Sequence, residues 1–240
     1  NFGQGRTIGP TLTALRAEAV DNLVSEVNIG NNTSVITIQF DHTFDAPGVY
    51  VISFTEQNRN PQIINLGGGA SEELAFHVET AIRIQAGDGL NNTPVLTIPP
   101  IDRACLGSRF VHNAGAFDAD GDSLAYKLVT PLQDRGIAIQ TYLPLDDPSI
   151  STIREGGGGS TLFEIDPVSG NLTWDAPQFE GEYNVAFIVE EWRFSVLNNR
   201  YELIGFVTRD MQIVVEDCNN ERPELEIPLD TCIEAGALLE

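Results

Sequence analysis

The sequence predicts an all-β chain built as a pair of β-sandwiches, and three observations point there. Apolar residues alternate in short runs broken by Gly, Pro, Asn and Asp, the helical signal is weak, and the runs number about eleven at the spacing two sandwiches require. In chain order the runs are Ser34–Phe40, Gly48–Thr55, Leu74–Ile84, Val95–Ile98, Arg109–His112 and Ser123–Val129. Phe163–Ile165, Asn171–Trp174, Tyr183–Glu190, Tyr201–Thr208 and Met211–Val215 follow. One stretch, Leu12 to Val27, is rich in Ala and Leu but has no clear apolar stripe, so a short helix and an irregular strand both stay open there.

Two internal repeats divide the chain. Gly48-Val-Tyr50-Val-Ile52-Ser-Phe54 matches Gly181-Glu-Tyr183-Asn-Val185-Ala-Phe187, each a Gly turn leading into an alternating strand. Asn91-Asn92-Thr-Pro94-Val-Leu96-Thr-Ile98-Pro99 then Cys105 matches Asn219-Asn220-Glu-Arg-Pro223-Glu-Leu225-Glu-Ile227-Pro228 then Cys232. These readings place one sandwich at 1–88, a second at 89–218, and a linker with the first strand of a further copy at 219–240. The absence of a charged-then-apolar leader before Asn1 leads us to expect a processed or excised piece.

Composition removes whole classes of function. Lys and Arg total 13 against 35 Asp and Glu, for a net charge of −22, and Lys127 is the single lysine. So acidic a chain offers no field for a phosphate backbone or an anionic lipid surface, so neither nucleic acid nor membrane is an expected partner. At 42% apolar and 20% charged it still has the material for a core. No stretch of about 18 apolar residues occurs to span a membrane.

Three cysteines, at 105, 218 and 232, show neither CxxC spacing nor a nearby His pair, which argues against zinc. In a sandwich the first and last strands end at the same pole, which favours Cys105–Cys218 and leaves Cys232 to pair beyond residue 240. A Cys218–Cys232 bridge, which needs the linker to fold back, and three reduced thiols are the competing readings. A disulfide would imply an oxidising, extracellular compartment.

The sharpest local motif is Phe117-Asp118-Ala-Asp120-Gly121-Asp122-Ser-Leu124-Ala-Tyr126. Asp118, Asp120 and Asp122 at alternate positions around a Gly suit a Ca²⁺ ion, which takes several oxygen ligands. The competing reading is an Asx-rich turn whose side chains bond local N–H groups.

This turn is followed by Phe163-Glu-Ile165-Asp166-Pro167-Val-Ser-Gly170-Asn-Leu172-Thr-Trp174 and the Gly181-Glu-Tyr183 strand. Together they resemble the cadherin-like and PKD-like immunoglobulin folds of bacterial surface proteins. With His42-Thr-Phe-Asp-Ala-Pro-Gly48, Glu56-Gln-Asn58-Arg59-Asn60, Pro99-Pro100-Ile-Asp102, His112-Asn113 and Val207-Thr-Arg209-Asp210-Met211, the order is similar to that in the gliding-motility-associated proteins of Bacteroidota exported by type IX secretion. The resemblance spans about 35–240. It implies tandem immunoglobulin-like sandwiches in a repetitive, secreted, cell-surface protein that is adhesive or fibre-forming, and it carries over no catalytic residue.

Nor do the residues themselves spell an enzyme. No GxSxG elbow, HExxH or phosphate loop is present, and Gly156–Gly159 reads as a flexible loop. His42 and His77 read as structural, and so does His112, although His112 also stands where it would orient the acidic turn. Glu190 and Glu191, adjacent on a strand, point to opposite faces and cannot act as a carboxylate pair. Trp174 and Trp192 read as core or edge residues. The expected function is a non-catalytic structural or adhesive segment whose partners are neighbouring repeats and further copies of itself. A carbohydrate- or protein-binding module is the alternative.

Overall fold

A computed structural model describes residues 6–8, 23–30, 33–39, 41–85, 89, 91–157 and 159–218. The described residues are all-β, with sixteen strands and two 3₁₀ turns at Gly67–Gly69 and Ser71–Glu73. The first five strands are β1 (Arg6–Ile8), β2 (Leu23–Gly30), β3 (Thr33–Ile38), β4 (Gly48–Glu56) and β5 (Phe76–Ile84). Then come β6 (Val95–Leu96), β7 (Ile101–Cys105), β8 (Phe110–Asn113), β9 (Ala116–Phe117), β10 (Ser123–Val129), β11 (Leu132–Asp134) and β12 (Ile137–Ala138). The last four are β13 (Phe163–Ile165), β14 (Asn171–Trp174), β15 (Gly181–Ser195) and β16 (Arg200–Glu216).

A nine-stranded sheet runs β1-β4-β5-β16-β15-β10, with β7 joined to β16 and the β11–β12 hairpin joined to β5. A three-stranded sheet, β13-β14-β8, packs against it. Their shared core follows from alternation: Tyr183, Val185, Phe187 and Val189 of β15 and Met211, Ile213 and Val215 of β16 meet Leu172 and Trp174 of β14 and Phe110 of β8. Fully burying each such large side chain contributes about 1.5–3 kcal/mol.

β16 is long enough to serve two neighbours on one edge. Gly205, Phe206 and Val207 pair antiparallel with Ile82, Ala81 and Thr80 of β5. Further along, Gln212 to Glu216 pair parallel with β7. The segments expected to part near 88–92 therefore share one sheet, in which the β4–β5 hairpin pairs with β16 through β5. The expected joint at 219–223, the further repeat and Cys232 lie outside the described residues, as do residues 12–22 of the Leu12–Val27 stretch; residues 23–27 belong to β2.

The two segments are also locked face to face. β15 is buried on both sides, with Asn184 and Ala186 turned away from the main core. Residues 59–66 cover Asn184. Asn65 pairs with the Asn184 backbone like a strand residue, accepting its N–H at 2.8 Å and donating Nδ2 to its carbonyl at 2.8 Å. Arg59 donates Nη2 to Asp210 Oδ2 at 2.8 Å and Nη1 to Oδ1 at 3.2 Å, and Asn184 also donates to Asp210. Ile63, Leu66 and Ile139 form a smaller core beside this network.

The parallel β7–β16 pairing sets Cys105 opposite Glu216, so Cys218 arrives two residues later at the same pole. The two sulfurs are bonded, with Cα atoms 5.4 Å apart. Among the described residues no helix is long and apolar enough to cross a membrane.

Candidate functional site

The acidic turn leaves β9 and enters β10. Gly121 sits in the left-handed region at φ +80°, which turns the chain sharply at no side-chain cost. Asp118 Oδ1 accepts the N–H groups of Asp120 at 2.9 Å and Asp122 at 3.0 Å, closing the turn in the Asx manner. Its other oxygen, Oδ2, is buried with no hydrogen-bond partner among the described residues.

Asp120 swings out of the turn. It accepts the Asn92 N–H at 2.6 Å and the Asn92 Nδ2 at 2.9 Å, and Arg193 Nη2 lies 3.5 Å away. The Asn92 backbone bond, then its side-chain bond, hold the Asp120 pKa below the ordinary carboxylate range. Asp122 takes the opposite course and meets Arg193, accepting Nε at 2.9 Å and Nη2 at 2.5 Å. Arg193 also donates to Asn91 Oδ1. That bonding to Asp122 is the main reason the guanidinium is held still more firmly in its charged form.

Glu191 completes the cluster from β15. It is 0% exposed, and among the described residues neither carboxylate oxygen reaches hydrogen-bond geometry with another group. A strand irregularity between Glu191 and Trp192 aims it, and Gly205 lies across from it on β16. A Cβ on Gly205 would stand 2.9 Å from Glu191 Oε2 and 2.8 Å from the Ala81 carbonyl oxygen, so the carboxylate occupies space only glycine leaves. Burial first, with the charges of Asp118 and Asp122 behind it, pushes Glu191 up to about 7, while Asn91 alongside draws it partly back. Ligand-type oxygens of Asp118, Asp122 and Glu191 lie within 4.8 Å of one another.

The expected trio was Asp118, Asp120 and Asp122; the structure groups the first and last of these with Glu191 and leaves Asp120 outside. Alternation puts i, i+2 and i+4 on one face only in an extended strand. The left-handed Gly121 ends that alternation and sends Asp120 toward Asn92. Glu191 carried a sequence signal, a carboxylate in an otherwise apolar strand, but its partner Gly205 lies on the next strand and is not apparent from spacing.

The other singled-out residues sit elsewhere. Glu190 does face away from Glu191 and accepts from Trp192 Nε1 at 3.2 Å. His77 is buried between Thr55 Oγ1 at 2.6 Å and Glu79 at 3.0 Å. His112 bonds Asp102 through Nδ1 at 2.7 Å, and no bond ties it to the acidic turn. His42 is exposed and stacks edge-on against Phe44. Trp174 is fully buried against Tyr183, which leaves no face for a ligand.

The sequence matches no protein-family model and no curated protein. Among solved structures, a nucleoside hydrolase-related hypothetical protein from Saccharophagus degradans that is associated with carbohydrate metabolism is similar to part of the chain, at 20% identity and a TM-score of 0.29. The match covers 52% of this chain and 26% of that protein, so the chain spans about a quarter of its length. A likeness this shallow carries no argument about fold or activity.

Proposed function

We propose that this chain is a non-catalytic structural or adhesive segment of a large secreted cell-surface or filament protein, built from immunoglobulin-like sandwiches and held by an extracellular disulfide. The observation that carries this reading is the double use of the β16 edge, where β5 of one segment and β7 of the next pair along one strand. Coupling of this kind makes adjacent segments into a stiff spacer. The sheet content fits the immunoglobulin pattern: β10, β15, β16 and β7 form one face and β13, β14 and β8 the other.

The β15–β16 hairpin ends in a tip where Val196 is 86% and Leu197 is 94% exposed, with Phe194 and Tyr201 paired behind them at 5.4 Å. An apolar tip on so acidic a chain is a contact point for a neighbouring copy or a surface partner. Electron microscopy of the native particle tests the reading: filaments or elongated surface structures are expected, and isolated globular monomers overturn it. The second reading, a carbohydrate- or protein-binding module, is favoured by an open polar cleft of about 800 Å³ lined by Asn60, Asp102, Arg103, Glu182 and Gln212. A glycan array with the isolated chain separates the two, because specific binding abolished by Asn60→Ala or Glu182→Ala supports the module.

A further inference from the structure

We infer that Asp118, Asp122 and Glu191 bind one calcium-class divalent cation where the acidic turn meets β15. The inference is independent of the adhesive reading, and its ligand set differs from the one the turn motif alone suggests.

Three observations converge on it. The first is unmet acceptor capacity. Among the described residues, both oxygens of fully buried Glu191 and Oδ2 of Asp118 lack a hydrogen bond of normal geometry, although the Asn91 side chain lies alongside Glu191. Buried carboxylates are ordinarily satisfied by donors, by a counter-charge or by a metal. Asp118 Oδ1 is already occupied by the Asp120 and Asp122 N–H groups, which fixes the direction of the vacant Oδ2.

The second is charge. When ionised, the three carboxylates and Asp120, which lies 3.5 Å from Arg193, share that one guanidinium among the described residues, so three negative charges stand uncompensated. One divalent cation offsets two of them. Arg193 holds Asp122 in place through Nε and Nη2; Oδ2 accepts from both, and Oδ1, which accepts only Nε, keeps a second lone pair for an ion.

The third is spacing and chemistry. One ligand oxygen from each of the three carboxylates lies within 4.8 Å of the others, close enough to share one cation, and the flexible, many-oxygen coordination of calcium suits such a set better than the strict octahedron of magnesium. An all-carboxylate set is hard, which excludes the thiolate- and imidazole-seeking metals as preferred occupants. Water fills the remaining positions. Gly205 belongs to the site as well, because any side chain there would displace the Glu191 carboxylate.

Calcium chloride titrated into the purified chain, against sodium chloride of matched ionic strength, tests the inference. The melting temperature is expected to rise to a plateau, with half-effect near 10⁻⁴–10⁻³ M as in extracellular calcium modules. Equilibrium dialysis is expected to find about one ion per chain. Glu191→Gln, which removes a buried charge and so does not threaten folding, is expected to weaken the response at least tenfold, and Asp120→Asn to leave it within about twofold. No saturable rise in the wild-type chain overturns the inference without reference to any variant. An equal response in Glu191→Gln, or a response to magnesium and not to calcium, overturns it too.

Discussion

Arg59 and Asp210 form a buried ion pair across 151 positions of sequence, with side chains only 3% and 1% exposed. Their bond joins the segment after β4 to the middle of β16, and the guanidinium also donates to Asn184 and to the Leu132 and Ala75 carbonyls. Such a pair adds little compared with a well-packed apolar replacement, but breaking it leaves a bare charge inside the protein. Asp210→Ala is expected to lower stability by about 3–5 kcal/mol. The double replacement Arg59→Met with Asp210→Leu is expected to recover most of that loss. Urea unfolding of the three chains measures both, and equal stability of Asp210→Ala and wild type would show that the pair does not couple the segments.

The tyrosine hydroxyls of the two repeated strands behave alike. Tyr183 donates to the Phe179 carbonyl at 2.9 Å and Tyr50 to the Ala46 carbonyl at 2.5 Å, each four residues upstream. Burial raises Tyr183 to about 12. Below pH 10 both folded and unfolded states keep the proton; between 10 and 12 only the unfolded state releases it, so stability falls as pH rises through that window. Tyr183→Phe is expected to cost about 1 kcal/mol at neutral pH through the lost bond and to flatten the alkaline decline. Thermal melts from pH 7 to 12 on both proteins check the crossing; parallel curves would assign the decline to other groups.

Gly205→Ala places a methyl group against the Ala81 carbonyl oxygen and the Glu191 carboxylate. Both neighbours are held in the sheet, so the expected loss is about 1–3 kcal/mol, with the β5–β16 pairing giving way first. Hydrogen exchange at Thr80, Ala81 and Val207 reports it; unchanged protection there would mean the sheet absorbs the methyl.

Reduction of Cys105–Cys218 is expected to lower stability by about 4–5 kcal/mol in the chain-entropy model for a loop this long. Denaturant midpoints with and without reductant measure it, and Cys105→Ser is expected to reproduce the reduced value.

Much of this fold was legible in the sequence because alternation marks half-buried strands. Gly48–Thr55, Ser123–Val129 and Asn171–Trp174 lie within one or two residues of β4, β10 and β14. The reading failed where polar residues sit inside a buried strand. Arg209-Asp210 looks like a break between two strands, yet β16 passes straight through because Arg59 satisfies Asp210 from another segment. Likewise β15 continues past Glu190 to Ser195, because Glu191 and Arg193 turn into the acidic cluster. In both cases the partner lies dozens of positions away, beyond the reach of local periodicity. The β5–β16 register, which pairs strands on either side of 88–92, likewise leaves no mark in either copy of the repeat.

The covalent link between Cys105 and Cys218 also acts on length. It closes 113 residues between two strands that run in the same direction and end at the same pole. A pull delivered along the chain crosses from one sulfur to the other and never enters that loop. If the sandwich unfolded under load, about 370–410 Å of extended chain would stay unavailable for stretching. The bond therefore caps the lengthening of the 105–218 span, and only the chain outside it can stretch under that pull.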